Sequence, residues 1–406
     1  MYVQLIDRVT TPQIIVQKYG GACLATPDKV RAVAAHLRDV HARGLGAVVV
    51  VSAMGKATDE LVRLAYQISP NPHRRELDML LTTGERVSMA LLSMALVDLG
   101  VPAISFTGSQ AGVLTDESHS QARIVDVRPH RVKDELARGR VVVLAGFQGV
   151  SLQTKEITTL GRGGSDVTAV AMAAALKATR CEIVKEVEGV CTADPRIVTS
   201  ARSIPHLDFT SLSEMCFWGA KVLHSRSVQL AAFERVPLVI KQWGRAVEST
   251  RVTQEVENME TGRVLSVNSI ARVEHVRITC ASLADGFETF ARHLKERGLA
   301  WPQVLGSSFG NRTCHLTLTT DDEALDTLLR SLGDGFAVGE GALSAVTLTC
   351  FGGVSTDLPH GVLKILGAAG VEPKRYLLSP SSLSLFIEPR DRVEAVRVLH
   401  AMVKPT

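Results

Sequence analysis

Short β-branched runs in this chain end in glycine-rich turns and are followed by helical patterns. That alternation restricts the chain to a layered α/β fold. Residues 14–17 and 47–52 (Ala-Val-Val-Val-Val-Ser) are short, apolar and bounded by glycine, as buried parallel strands are. Between them, 27–43 carries Val30, Val33, Ala34 and Leu37 at helical spacing. Val141–Ala145 predicts a third strand, 181–184 a fourth, and the alanine-rich 169–178 a tightly packed helix. With 406 residues the chain exceeds one ordinary core, so two or more domains are expected.

Four blocks occupy these junctions. They are Lys18-Tyr19-Gly20-Gly21, Leu160-Gly161-Arg162-Gly163-Gly164-Ser165-Asp166, Glu186-Val187-Glu188-Gly189-Val190 running into Thr192-Ala193-Asp194-Pro195-Arg196, and Gly219-Ala220-Lys221-Val222-Leu223-His224. Glycine lets backbone N–H groups approach an anion, and a helix N-terminus adds partial positive charge. Lys18, Lys221 and Arg162 add full charges, so the set is equipped to handle a phosphoryl group.

Each block alone admits a plainer reading. Lys18, expected just after a strand, neutralises phosphoryl oxygens or is solvated on a tight turn. Arg162 holds a carboxylate with its planar fork, and Asp166 orients Lys18 or receives a proton; otherwise this is a surface turn capped by Ser165 or Asp166. Thr82-Thr83-Gly84-Glu85-Arg86 is expected to begin a helix, with Glu85 binding an ammonium group or serving as a first-turn acid. Arg196, after a proline turn, and Lys221, near a helix start, are both within the repertoire of nucleotide phosphate ligands. His224 is expected to make a structural hydrogen bond.

The net charge of +3 gives no argument for nucleic acid or a membrane surface. No apolar stretch of about 20 residues suggests a bilayer span, and Met1-Tyr2-Val3-Gln4 does not read as a signal peptide. The seven cysteines are scattered without a Cys-x-x-Cys pair, and no metal-ligand spacing appears among the histidines. Reduced thiols in a cytoplasmic protein are expected.

Beyond residue 244 the pattern changes to a polar linker and then a weak two-fold repetition. Strands are expected at 274–280 and Thr313–Thr319 around a helix at 286–297, and at 346–350 and Ser382–Ile387 around a helix at 360–369, with a last helix at 392–403. Each unit suggests a ferredoxin-like module.

These blocks resemble the aspartokinases of the amino-acid kinase superfamily. The resemblance also rests on Val50-Val51-Ser52-Ala53-Met54-Gly55-Lys56-Ala57-Thr58-Asp59-Glu60-Leu61, Thr83-Gly84-Glu85, Ala145-Gly146-Phe147-Gln148-Gly149 and Thr158-Thr159 ahead of the second block. It implies a three-layer αβα sandwich followed by two ferredoxin-like βαββαβ ACT modules. The expected boundaries are 1–243 for the kinase domain, 244–265 for the linker, and 266–342 and 343–406 for the modules. It further implies transfer of the ATP γ-phosphate to the β-carboxylate of L-aspartate, with Mg2+, in a homo-oligomer assembled through the ACT modules. Lys18, Asp166 and Lys221 would be catalytic. Thr58, Glu85, Arg162 and Ser165 would hold the amino acid, and Gly20, Gly21, Lys185, Glu186, Arg196 and Lys221 the nucleotide.

The chain departs from the family pattern. Ala22 and Cys23 stand where two hydroxyl residues are usual, Lys185-Glu186-Val187-Glu188-Gly189 replaces Thr-Asp-Val-Asp-Gly, and Ser225 replaces proline. The turns opening the ACT helices read Ala284-Asp285-Gly286 and Pro359-His360-Gly361. Two alternatives therefore stand beside aspartokinase: a kinase for another carboxylate in a specialised pathway, and a weakened regulatory homologue.

Overall fold

In the computed structural model, the residues described are 13–245, 248–254, 262–279, 282–297, 299, 301–310, 312–319, 323–332, 335–339 and 342–403. In chain order the elements begin β1 (Ile14–Tyr19), α1 (Pro27–Ala42), β2 (Gly46–Val51), α2 (Ala57–Ile68), α3 (Arg74–Asp98), β3 (Ala103–Phe106), β4 (Val113–Thr115) and β5 (Ile124–Val127). They continue α4 (His130–Ala137), β6 (Val141–Ala145), β7 (Gln148–Ser151), β8 (Ile157–Thr159), α5 (Gly164–Leu176), β9 (Arg180–Lys185), β10 (His206–Asp208), α6 (Phe209–Phe217), α7 (Ser225–Phe233), β11 (Leu238–Gln242) and β12 (Glu248–Thr253). The C-terminal part holds β13 (Arg263–Thr279), α8 (Leu283–Glu296), β14 (Val304–Gly310), β15 (Thr313–Thr319), α9 (Glu323–Ser331), β16 (Phe336–Val338) and β17 (Leu343–Phe351). It closes with α10 (Leu358–Ala368), β18 (Arg375–Leu378), β19 (Ser382–Ile387) and α11 (Arg392–His400).

Two compact units result. The first comprises Met1–Gly189, Pro205–Phe209 and Leu223–Val256; the second comprises Val190–Ile204, Thr210–Val222 and Glu257–Thr406.

The first unit is built on an eight-stranded sheet in the order β10-β12-β11-β9-β1-β2-β6-β3, with β1 parallel to both β2 and β9. A smaller sheet, β5-β4-β7-β8, lies in the same unit. On one face of the large sheet Ile15, Tyr19, Val49 and Val51 pack with Leu37, Leu92 and Leu96 in a continuous buried core. Each such aliphatic side chain contributes about 1.5–3 kcal/mol on full burial. The start of α1 is set locally: Thr26 caps it by accepting the Lys29 N–H at 3.3 Å, and Pro27 supplies a preformed first turn. The opposite face is covered by α5, whose Val167, Val170 and Met172 are buried on several sides.

The second unit contains a seven-stranded sheet, β14-β15-β13-β17-β19-β18, with β16 also paired to β13. The 17-residue β13 divides its length between two modules. Residues 273–279 pair with β15, and 263–273 with β17. The first module therefore runs βαββαβ in chain order. The second takes its fourth strand from the start of β13. Separate hydrophobic cores lie under α8 and α9, and under α10 and α11.

Several elements differ from the sequence reading. β1 extends to Tyr19, so Lys18 lies inside the strand rather than after it. α3 begins at Arg74, so Glu85 sits mid-helix and not in a first turn. Its buried stripe of Asp78, Leu81, Thr82, Glu85, Ser88 and Leu92 explains the longer run, because polar members obscure the apolar period. β12 lies inside the stretch expected to be a linker; residues 246–247 and 255–261 of that stretch, and Cys280 of the expected strand, fall outside the described residues. Among the described residues, α3 alone is long and apolar enough to cross a bilayer, and half of its most apolar window is buried within the fold. Buried Asp78 and Glu85 mark it as a core helix.

Candidate active site

Successive residues of a strand face opposite sides of the sheet, so Lys18 points away from its neighbour Gln17 and toward α5. Lys18 Nζ lies 2.8 Å from Asp166 Oδ1, with the two residues only 6 % and 5 % exposed. Burial works to raise the Asp166 pKa. Lys18 above all, with Lys185 and His224, outweighs it and holds the carboxyl below its ordinary value.

Glycines bring the surrounding backbone to this pair. A Cβ on Gly21 would lie 2.6 Å from the Ala53 carbonyl, so the turn after β1 can approach residues 53–55 only as glycine. Gly20 is different: a Cβ there would make only ordinary contacts, with Lys18 Nζ at 3.8 Å and Val184 O at 3.9 Å. Gly163 has φ of 72° and meets His224, whose Cβ would be 2.2 Å from an added methyl. The His224 side chain accepts the Arg226 N–H at 3.3 Å and so caps α7, the structural role expected of it.

Glu85 enters from α3. Gly84 lets that helix approach Ala53, where a Cβ would meet the alanine methyl at 2.8 Å. Glu85 Oε1 accepts the Ala53 N–H at 3.1 Å, while Oε2 is buried and has no hydrogen-bond partner. Burial pushes the carboxyl up to about 7, despite the Ala53 N–H and the nearby Lys18 charge. A buried carboxylate oxygen without a donor is costly unless a ligand supplies one.

The remaining residues expected from sequence distribute as follows. Thr58 is half-buried in the first turn of α2, and Ser165 is buried at the start of α5. Arg162 is exposed in the turn between β8 and α5. Lys185 ends β9, and Glu186 beyond it pairs with Lys29 at 2.5 Å. Lys29 also donates to the Ala22 carbonyl at 2.8 Å, so this exposed pair flanks the turn after β1. Lys221 and Arg196 belong to the second unit, where both are exposed and Asp194 grips Arg196 at 2.6 Å. Thus Lys18, Gly20, Gly21, Glu85, Ser165 and Asp166 converge within one unit. Sequence reasoning missed Asp78, buried two helical turns before Glu85 on the same face of α3. That spacing was the available signal.

The lysine–aspartate pair thus lies beneath a glycine turn, on a strand parallel to both of its neighbours. Residues 13–242 match the model of the amino acid kinase family. The chain is 40 % identical to the aspartokinase of Geobacillus stearothermophilus over 395 residues, covering 95 % of this chain and 96 % of that one. It is 53 % identical to the aspartokinase of Mycobacterium tuberculosis over 228 residues, 56 % of this chain and 54 % of that one. Among solved structures, aspartokinase III of E. coli superposes with a TM-score of 0.80 at 23 % identity, covering 96 % and 99 % of the two chains. Aspartate kinase from Synechocystis gives 0.55 at 34 % identity, covering 97 % of this chain and 70 % of that one. The chain belongs to the aspartokinases, the aspartate kinases of the amino acid kinase family.

Proposed function

We propose that this protein transfers the ATP γ-phosphoryl group to the β-carboxylate of L-aspartate, giving 4-phospho-L-aspartate. The observation that carries the reading is the unpartnered, buried Glu85 Oε2 in the electrostatic neighbourhood of Lys18. It is suited to the substrate's ammonium group. Arg162, Thr58 and Ser165 hold the rest of the amino acid, with the guanidinium on its α-carboxylate.

The acceptor carboxylate is already nucleophilic, so no strong base is needed. Catalysis consists of positioning and charge neutralisation. Lys18 spreads its charge over the transferring oxygens, Asp166 fixes the ammonium that does so, and amides of Gly20 and Gly21 line the phosphates. Lys185 and Glu186 contact the nucleotide. Asp166 is already engaged by Lys18, and no group of three or more His, Cys, Asp or Glu is arranged for a metal among the described residues. This donor set fits Mg2+ held chiefly by the nucleotide's own phosphates, and Asp166 is the protein carboxylate that would be available to it. When bound, the ion withdraws charge from the β- and γ-oxygens.

The protein is proposed to act in the cytoplasm as a homodimer or dimer of dimers joined through the C-terminal modules, with weak feedback control. Ser282 caps α8 by accepting the Asp285 N–H at 3.2 Å, and the exposed Asp285 would repel an effector carboxylate there. Lysine and threonine should inhibit little at physiological concentration, and light scattering should give a dimer or tetramer. Strong inhibition or a monomer would refute those two statements respectively.

Trapping the acyl phosphate with hydroxylamine, using ATP, Mg2+ and a panel of amino-acid carboxylates, tests the function. Aspartyl hydroxamate is expected. Turnover of another acid with none of aspartate would overturn the substrate assignment.

A further inference from the structure

Asp78 is fully buried on α3, yet it is absent from the phosphate and amino-acid ligands discussed above. Its carboxylate is surrounded by partners from the 118–121 turn and from the end of β8. Ser120 N–H donates at 3.1 Å, Thr159 Oγ1 at 2.5 Å, and His119 Nδ1 lies 2.7 Å away. Such a cluster of bonds on one buried acid ties both segments to the helix.

The 118–122 turn and the end of β8 meet at the turn that carries Arg162. Ser120 adopts φ of 68°, a left-handed conformation that a serine keeps only when its surroundings impose it. In that conformation its N–H donates to the Asp78 carboxylate. The Ser120 carbonyl then stands against Gly161, where a Cβ would be 3.1 Å away. Thr159 immediately precedes Leu160-Gly161-Arg162, and its carbonyl accepts the Ala122 N–H at 2.9 Å. Arg226 closes the far side, donating to Leu160 O at 2.7 Å and to Ala122 O at 3.2 Å.

We infer that Asp78, acting through Ser120, His119 and Thr159, is a positioning residue that sets the Leu160–Gly164 turn and so aims Arg162 at the amino-acid substrate. Asp78 and Glu85 share one face of α3, so a single rigid helix registers both halves of the amino-acid site: Glu85 directly, Arg162 through Asp78. The inference rests on the assignment of Arg162 to the substrate carboxylate.

The test uses full-length Asp78→Asn and Thr159→Val proteins, with Asp78→Ala as the harsher variant. In Asp78→Asn, KM for aspartate should rise about tenfold or more, the effect of misaiming a charged hydrogen bond, while KM for ATP stays close to wild type. Thr159→Val should shift KM for aspartate in the same direction by less. Amide hydrogen exchange provides a readout without activity: peptides spanning 118–122 and 157–164 should exchange faster in Asp78→Asn, and the β1–β2 region should not. A lowered Tm with both KM values unchanged would reduce Asp78 to a purely structural role and overturn the inference. Unchanged exchange in those two segments would overturn it as well. If wild type fails to use aspartate at all, the functional assignment and the aim at an amino acid fall together, and exchange alone decides whether Asp78 sets the turn.

Discussion

Gln17 and Lys18 are neighbours on one strand, and each serves a buried charge cluster on its own face of the sheet. On the Gln17 side, Glu182 is wholly buried and saturated. Gln17 Nε2 donates at 2.7 Å, Arg180 Nε at 2.7 Å, and Lys241 Nζ lies 2.9 Å away. Burial favours the neutral acid, but those partners outweigh it and hold the Glu182 pKa below its ordinary value. On the Lys18 side, Glu85 has one oxygen without a donor and a pKa raised to about 7 by burial. Buried charge is therefore common to structural and functional clusters in this fold. Unmet hydrogen-bonding capacity separates them.

The largest expected effect breaks the unsaturated side. Lys18→Ala should lower kcat by about 10²–10³-fold, the range for removing one group that stabilises transition-state charge. Its melting temperature should fall as well, because Asp166 is left buried without its cation, so kcat is read per folded molecule well below the melt; an unchanged kcat would remove Lys18 from the chemistry. Next, Arg162→Ala should raise KM for aspartate by about 10–100-fold, since a charged hydrogen bond contributes about 1.5–3 kcal/mol. An unchanged KM and kcat would remove Arg162 from the site.

On the saturated side, Lys241→Met should cost about 1–3 kcal/mol in a urea titration by leaving Glu182 short of a partner. Its kcat per folded molecule should match wild type; a fall in kcat without a fall in stability would erase the distinction between the clusters.

A fourth expectation is a pH effect. Glu85 has its pKa raised from 4.5 to about 7 by burial, so only above that value does the free protein offer a carboxylate to an ammonium group. kcat/KM for aspartate should fall as pH drops below about 7, and a profile flat from pH 8 to pH 5 (roughly this window) would contradict the role. The stability term has the opposite slope. Between 4.5 and about 7 the folded chain holds a proton that the unfolded chain has released, so this group's contribution to stability declines as pH rises through that interval.

Much of this was legible in sequence where local chemistry decides. The glycine blocks, β2, β6, β9 and the helix after Gly163 follow from short β-branched runs and positive-φ turns, and the ordered motifs singled out Lys18 and Asp166, which the fold brings to 2.8 Å of each other. Convergence was not legible from period alone, because Lys18 and Asp166 meet through a parallel crossover of many residues. The small sheet β5-β4-β7-β8 was missed since its strands are three or four residues long. Asp78 was missed because a buried acid on a helix reads as a solvated one until its partners at 119, 120 and 159 are in place. The division of β13 between two modules depends on pairing with β15 and β17, which strand propensity does not encode.

The most direct measurement is the same substitution made in both clusters. Glu85→Gln and Glu182→Gln each remove one buried charge and keep the side-chain shape. Aspartate KM and thermal stability should be determined for both proteins in one buffer about one pH unit above the Glu85 value, where both carboxylates are ionised. Glu85→Gln should raise aspartate KM sharply and leave the melting temperature equal or higher, because an uncompensated buried charge is gone. Glu182→Gln should lower the melting temperature and leave aspartate KM unchanged. The reverse pattern, with Glu182→Gln impairing aspartate use in a stable protein or Glu85→Gln destabilising one whose kinetics are intact, would contradict the account.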